Sequence, residues 1–190
     1  MKRIAALIMA AGASSRFGGC KLLADVAGQP MLQRSIDLAA GLFSRHVYVV
    51  TGAWHGELME ARDKGILHGA SFVYADAWAE GLSASLKAGI EYLERDYDAV
   101  LVLLADQIAL TRSNLKQLLA AFDGHNIACG FYDGGRGVPA IFSRGSFDRL
   151  KQLSGDRGAK PVLYDSVVPV CACPMPAASL DIDRREQLFS

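Results

Sequence analysis

The sequence lacks an excess of charge of either sign, because its 20 basic and 20 acidic side chains give a formal net charge of zero. A chain without net charge offers no long-range field to a nucleic-acid polymer or to an anionic membrane surface. The sequence also lacks any apolar run close to the roughly 20 residues that cross a bilayer. We therefore expect neither a nucleic-acid partner nor a membrane, and any bound anion must be held by a local site.

Cysteine is scarce as well. The chain has 4 cysteines, which are unevenly spaced and lack the Cys and His neighbours of a metal cluster, at positions 20, 129, 171 and 173. This pattern argues against a disulfide framework and a zinc site, and it fits a reducing, cytoplasmic compartment. Because Cys171 and Cys173 alternate within an apolar run, we expect two thiols on one face of a buried strand.

Proline is also infrequent, with 6 residues against 19 glycines, while 51% of the 190 residues are hydrophobic. These values are typical of a folded globule and exclude collagen and extended disorder. The length predicts a single domain over residues 1–190. Lys2 and Arg3 precede an apolar run, as in a secretory signal peptide. The run is followed by a glycine-rich segment that contains cations, which a cleavage region does not need, so we expect a first buried strand instead.

Strand-length apolar runs alternate with helix-length amphipathic stretches. Strands are predicted over residues 4–9, 46–51, 71–74, 99–104 and 127–131. Helices are predicted over residues 31–42, 56–64, 83–94 and 113–122. This alternation is typical of the α/β class, in a Rossmann-like three-layer arrangement with a mostly parallel central sheet.

The pattern is weaker beyond residue 130. Three glycines, Gly134, Gly135 and Gly137, predict a turn, followed by a short strand over 138–142 and a helix over 144–153. Among the helix starts, Pro30 suits the first helical position, and Ser83 and Thr111 suit the N-cap. In open sheets of this kind ligands bind beyond the carboxyl ends of the strands, so functional residues are expected there.

The first predicted strand runs into a glycine-rich segment, AAGASSRFGGCK, over residues 10–21. Glycine lets backbone N–H groups approach phosphate oxygens, while Arg16 and Lys21 can neutralise phosphate charge. A P-loop is excluded because Leu22 stands where Ser or Thr is needed, and a dinucleotide fingerprint because Ser14 replaces glycine. From its residues alone the segment is either a phosphate-binding loop or a plain strand-to-helix turn.

Acidic residues follow at two further places. Asp106 comes directly after the strand at 99–104, where it is either a helix N-cap or a ligand for a hard metal ion. Thr111 can cap the next helix, which leaves Asp106 without that role. Asp181 and Asp183 alternate near the end of the chain, where they are either a solvated surface or part of the same crevice.

Taken together, these segments resemble a known family. The stretch MAAGASSRFGGCKLL is similar to the signature of the MobA-like nucleotidyltransferases. Later segments resemble the molybdenum cofactor cytidylyltransferase branch, in the family's order: AEGLSASLKAGI, ADQIALT, RGVPAIFSR, LSGDRGAK and DIDRREQL. Such co-linear motifs, spread over nearly the whole chain, are more specific than any one of them.

The resemblance implies that CMP is moved from CTP onto the terminal phosphate of molybdopterin, with Mg²⁺ as cofactor and pyrophosphate as product. It implies catalytic roles for Arg16, Lys21 and Asp106, and metal binding by Asp106 and Asp183. The implied nucleotide-binding residues are Ala11, Gly12, Ser14, Arg16, Lys21, Gly81, Ser83 and Ser85. The implied acceptor-binding residues are Gly137, Pro139, Gly155 and Asp156.

The chemistry agrees with a site that is poor in general bases. A phosphate monoester is already largely a dianion at neutral pH, because its second pKa is about 6, so it attacks without being deprotonated. The reaction instead needs in-line positioning, a metal ion and cations for the leaving pyrophosphate. The sequence departs from the family pattern at Cys20, at Ile108 and at Arg184-Arg185, which affects local loop shape more than chemistry.

Base and acceptor stay open. Ala11 resembles members that use CTP, since a Cβ here narrows the space for a base, whereas guanylyltransferase relatives have glycine. Alternatives are guanylyl transfer, a sugar-phosphate nucleotidyltransferase, and a non-catalytic maturation factor that delivers cofactor to a molybdenum hydroxylase. An oxidoreductase is disfavoured because the dinucleotide fingerprint is missing.

Overall fold

The computed structural model describes residues 3–165 and 167–182. Its main sheet has the order β5-β4-β1-β6-β8-β7-β9. The strands are β1 (Ile4–Ala10), β4 (Val47–Thr51), β5 (Ser71–Tyr74), β6 (Ala99–Leu104), β7 (Ile127–Tyr132), β8 (Gly135–Ser143) and β9 (Val170–Pro174). A separate hairpin pairs β2 (Asp25–Val26) with β3 (Gln29–Pro30).

The helices are α1 (Met31–Phe43), α2 (His55–Asp63), α3 (Leu82–Leu93), α4 (Arg112–Ala121), α5 (Phe147–Lys151) and α6 (Lys160–Asp165). Helices α1, α2 and α4 bury their apolar side chains on one face of the sheet, and α3, α5 and α6 on the other. The three layers confirm the predicted Rossmann-like α/β architecture. None of the described helices is both long and apolar enough to span a bilayer.

Strands β1 and β6 lie at the centre of the sheet and pair in parallel from Ile4 with Ala99 to Met9 with Leu104. Their sequences, IAALIMA and AVLVLL, are apolar on both faces, which is what a strand covered by helices on both sides requires. Among the described strands of this sheet, β8 alone runs antiparallel to its neighbours, β6 and β7. The order in which strands are added to the sheet reverses at β1, since β4 and β5 lie on one side of it and β6 on the other, and this places a crevice beyond the carboxyl end of β1.

The five predicted strands and four predicted helices of the first two thirds of the chain are confirmed, and their ends differ from the predicted ones by no more than one residue. The predicted caps are less accurate. Thr111 caps α4 through a capping box with Asn114, as expected. Pro30 precedes α1 instead of opening it. Ser83 is inside α3, whose cap is Gly81 with a φ of 115°, a conformation that serine would adopt only with strain.

Beyond residue 130 several predictions are wrong. Gly135 and Gly137 belong to β8 and not to the turn, because the hairpin reverses at Asp133 and Gly134, which both have positive φ. The predicted helix over 144–153 is a 3₁₀ turn followed by the short α5. Helix α6 was not predicted, whereas the strand expected at Cys171 and Cys173 is present as β9. Because β9 is an edge strand, Cys171 is exposed while Cys173 is buried, so the expected pair of buried thiols is also wrong.

Candidate active site

A cavity of about 350 Å³ opens beyond the carboxyl ends of β1 and β6. Among the residues that line it are six that the sequence predicted: Ala11, Gly12, Ser14, Arg16, Lys21 and Asp106. Two separate segments, the glycine-rich loop after β1 and the end of β6, thus meet at one opening. We call it the first cavity. In open α/β sheets, ligands bind at this position, beyond the carboxyl ends of the parallel strands where the strand order reverses.

The glycine-rich loop leaves β1 at Ala10 and holds its shape through left-handed residues. Ser14 has a φ of 52° and Gly18 a φ of 73°. A Cβ built on Gly12 would meet no atom within 4 Å, so this backbone faces open space. Such a loop exposes its N–H groups to a ligand, as phosphate binding requires.

A neighbouring segment that the sequence did not single out holds this loop. The Ala53 N–H donates to the Ala11 carbonyl over 3.1 Å. The Trp54 indole Nε1–H donates to the Ala13 carbonyl over 3.0 Å. Gly52 allows this close approach, because a Cβ there would come within 2.6 Å of the Ala11 oxygen. The glycine-rich loop is therefore anchored to the end of β4.

Lys21 and Asp106 form an ion pair at the mouth of the first cavity. Nζ of Lys21 lies 2.6 Å from Oδ2 of Asp106, and the two side chains are 15% and 16% exposed. The same ammonium donates to the Ile182 carbonyl over 2.9 Å. Lys21 thus joins the first loop, the end of β6 and the C-terminal segment.

The other carboxylate oxygen of Asp106 is the atom that suits a metal ion. Oδ1 is buried and has no hydrogen-bond partner within the described residues. A buried, unpartnered carboxylate oxygen beside a triphosphate-sized cavity fits a hard divalent cation. Asp181 is exposed, and Asp183, the predicted second ligand, lies outside the described residues.

The predicted residues at the start of α3 lie next to the first cavity without lining it. Ser83 and Ser85 are buried, and the Ser83 N–H donates to the Gly155 carbonyl over 3.0 Å. A Cβ on Gly81 would come within 2.6 Å of Asp156 Oδ1. Gly81 and Ser83 therefore pack against the loop at 155–156, and direct contact of Gly81, Ser83 and Ser85 with nucleotide stays a prediction.

A second cavity, of about 170 Å³, adjoins the first. The two share Met9, Leu82 and Leu104 in their linings. Of the predicted acceptor residues, Gly137 lines the second cavity, whereas Pro139, Gly155 and Asp156 do not. Pro139 follows a cis peptide bond.

Two cations at the second cavity were missed in the sequence. Arg157 and Lys160 line it and are exposed. The positive charges in the segment LSGDRGAK could have indicated them, but the acceptor-binding residues predicted from that segment were Gly155 and Asp156. Together with an apolar floor of Met9, Leu82 and Leu86, these cations suit a ligand that has a flat body and an anionic group.

Burial also changes the acidity of two side chains near the cavities. It raises the pKa of the Tyr132 phenol, whose hydroxyl donates to the Val138 carbonyl over 2.8 Å. It raises the pKa of the half-buried Cys20 thiol. Both groups are therefore neutral donors at physiological pH, and neither is suited to act as a base.

The chain is similar to proteins of one known family. The family model of the MobA-like NTP transferase domain matches residues 6–170. The chain is 31% identical over 169 residues to the purine catabolism protein PucB of Bacillus subtilis (strain 168). The aligned region covers 83% of this chain and 78% of PucB.

Two solved structures extend the comparison. A homologue of Mycobacterium tuberculosis Rv0371c from Mycobacterium sp. strain JC1 superposes with a TM-score of 0.83 at 28% identity, covering 98% of this chain and 93% of that one. Rv0371c from M. tuberculosis H37Rv in complex with manganese has a TM-score of 0.74 at 22% identity, covering 92% and 89% of the two chains. The second likeness concerns the fold alone.

Proposed function

Since the chain belongs to the MobA-like NTP transferase family and is a nucleotidyltransferase, we propose that it transfers CMP from CTP to the terminal phosphate of molybdopterin and releases pyrophosphate. The observation that carries the proposal is the pair of Lys21 and Asp106 at the mouth of the first cavity, with one carboxylate oxygen left unpartnered. A cation and an available carboxylate oxygen at one opening are what phosphoryl-type transfer needs.

The glycine-rich loop is proposed to hold the triphosphate. Its exposed N–H groups around Gly12 and Ser14 would bind phosphate oxygens, while Arg16 and Lys21 offset the charge that develops on pyrophosphate. Anchoring by Ala53 and Trp54 fixes the loop before the ligand arrives. Pre-organised donors stabilise a developing charge without reorganising during the reaction.

Asp106 would hold Mg²⁺ through Oδ1, and Asp183 is the proposed second ligand. When bound there, the ion would supply positive charge to offset part of the charge of the phosphates. Lys21, already hydrogen-bonded to Oδ2 of Asp106, would hold that carboxylate in place at the first cavity.

The acceptor is proposed to occupy the second cavity. Its ring would lie on the apolar floor, with Gly137 beside it, and Arg157 and Lys160 would bind its anionic groups. Gly155 and Asp156 would position this segment through their packing against Gly81 and Ser83. Pro139, next along β8, would shape the opposite wall. An apolar floor suits the face of an aromatic pterin ring better than a sugar ring, which carries hydroxyls on both faces.

Transfer assays test the proposal directly. The protein is incubated with molybdopterin and CTP, GTP, ATP or UTP, with and without Mg²⁺, and pyrophosphate release is measured. We expect release with CTP and Mg²⁺, and a loss of at least about 100-fold in Asp106→Asn. Asp63→Asn, at an exposed carboxylate outside both cavities, is the matched control and should keep full activity.

The other outcomes separate the alternatives. A preference for GTP would move the assignment to guanylyl transfer, and transfer to a hexose 1-phosphate would favour a sugar-phosphate nucleotidyltransferase. Nucleotide binding without pyrophosphate release would indicate a maturation factor for a molybdenum hydroxylase. A cytoplasmic location remains a prediction from the cysteine content.

A further inference from the structure

Strands β6 and β8 separate before β6 ends. Their antiparallel register pairs Ala99 with Ser143 and continues to Val102 with Ala140. Continuing this register would bring Leu104 opposite Val138, but the ladder stops before that pair. The Leu104 N–H and the Val138 carbonyl therefore do not bond to each other, although the next pair of the ladder would have joined them.

The side-chain amide of Gln107 lies in this gap. Its Oε1 accepts from the Leu104 N–H over 3.3 Å, and its Nε2 donates to the Val138 carbonyl over 2.9 Å. The primary amide thus replaces one peptide group between the strands and satisfies both. Because Gln107 is only 4% exposed, these bonds are shielded from water.

Gln107 makes a third bond to another segment. Nε2 also donates over 3.0 Å to the carbonyl of Ala178, in the turn at Pro176–Ser179 that leads to Ile182. Both amide protons and the carbonyl are therefore used. One side chain ties the end of β6, the start of the cis-proline segment and the C-terminal turn.

The second cavity opens where the two strands part, with Leu104, Gly137 and Val138 in its lining. Asp106, the neighbour of Gln107 in the chain, lines the first cavity. We infer that Gln107 is a positioning residue that holds the second cavity open and fixes its wall relative to Asp106. The inference rests on the proposed function, since it concerns the distance between the nucleotide and acceptor sides.

Gln33 provides a matched control for a purely structural role. It is 3% exposed, and it also bridges segments, by accepting from the His68 N–H over 2.9 Å and donating to the His68 carbonyl over 3.2 Å. It is not among the residues that line either cavity. Gln107→Met and Gln33→Met therefore remove similar buried bonds at similar volume.

The experiment compares kcat, acceptor KM, CTP-induced stabilisation and Tm for both methionine variants. We expect both to lower Tm, whereas Gln107→Met alone lowers kcat by about 10- to 100-fold and raises the acceptor KM, since a displacement of about 1 Å can cost that much. CTP should stabilise both variants as it stabilises the wild type. Gln107→Glu, which loses the donors and keeps the shape, should behave like Gln107→Met.

Unchanged kcat and acceptor KM in a folded Gln107→Met would overturn the inference, as would an equal loss in Gln33→Met. Hydrogen exchange of the Leu104 amide gives a readout without substrate. Exchange should be slow in the wild type and faster in Gln107→Met, which lacks the acceptor for the Leu104 N–H, and fast exchange in the wild type would contradict the bond itself. If the wild type transfers nothing to molybdopterin, the proposed function fails, while exchange of the Leu104 amide still tests the position of Gln107 between β6 and β8.

Discussion

Lys21 serves two partners at once, which makes it the most informative residue of the site. Its ammonium contacts Oδ2 of Asp106 and the carbonyl of Ile182, and it also lines the first cavity. A triphosphate entering that cavity would meet a cation already placed beside the carboxylate. The ammonium group of Lys21 therefore connects parts of the site before any ligand binds. We expect its charge to contribute more to activity than the packing of its aliphatic chain.

We expect Lys21→Met to lower kcat/KM by about 10²- to 10³-fold, because a pre-placed charge that stabilises the transition state is lost. Lys116→Met, at an exposed lysine of α4, should leave kcat/KM unchanged. Steady-state kinetics with CTP and Mg²⁺ measure both. A similar kcat/KM for the two variants would remove Lys21 from the proposed machinery.

Ala11 carries the proposed choice of base. It is 4% exposed and lines the first cavity directly after β1. Ala11→Gly should shift the CTP-to-GTP preference toward GTP by about 1 kcal/mol, since one methyl group is removed from the space beside the base. The measurement is kcat/KM for each nucleotide. Ala13→Gly, in the same loop and outside the cavity lining, is the control, and an unchanged ratio in Ala11→Gly would refute this explanation.

At the scale of residues, the sequence predicted which side chains line the first cavity better than it predicted their contacts with distant segments. Arg16, Lys21 and Asp106 are brought to one cavity because the glycine-rich loop follows β1 and Asp106 follows β6, and these two strands are parallel neighbours that end at the same side of the sheet. Gln107, Trp54 and Arg157 were given no role, because their roles depend on partners 31 or more positions away along the chain or on the shape of a cavity. Nothing in the local pattern marks such partners.

At the scale of elements, α4 illustrates a start that local sequence determines. The Thr111 hydroxyl accepts from the Asn114 N–H, and the Asn114 side chain accepts from the Thr111 N–H over 2.9 Å. Both bonds involve residues three apart, so the pattern can be read without the fold. Leu115 and Leu118 then pack on the sheet, which fixes the face that α4 presents.

Thr111→Ala should lower the free energy of unfolding by about 1 kcal/mol, because an N–H at the start of α4 loses its acceptor. Chemical denaturation measures this change. Ser113→Ala, one residue into the same helix and exposed, should change stability little. kcat should be unaffected in both, since neither residue lines a cavity; an equal loss of stability in the two variants would contradict the capping role.

The C-terminal elements were harder to predict for physical reasons. Helices α5 and α6 have 5 and 6 residues, too few to show a helical period. Strand β8 contains Gly135, Gly137 and Pro139, residues that ordinarily mark turns, yet pairing with β6 and β7 keeps it extended. Tertiary pairing thus overrides local preference in this part of the chain.

For the whole molecule, the sheet joins strands from Ile4 to Pro174, and helices from both halves pack on each face. The single domain over residues 1–190 remains a prediction, and calorimetry tests it. We expect one cooperative transition whose calorimetric and van't Hoff enthalpies agree. With Mg²⁺, CTP at about 100 times its Kd should stabilise the protein by about 2.7 kcal/mol without splitting the transition. Two transitions would contradict the prediction.

The bond between Lys21 and Ile182 has a practical consequence for handling the protein. It places the last described residue beside the first cavity, whereas Arg3 precedes β1 at the opposite edge of the sheet, about 20 Å away at the usual rise of a strand. A purification tag or a sensor surface attached through the amino terminus therefore leaves the crevice facing solution. A bulky substituent at Ile182, by contrast, would lie close to the ligands that the sensor is meant to detect.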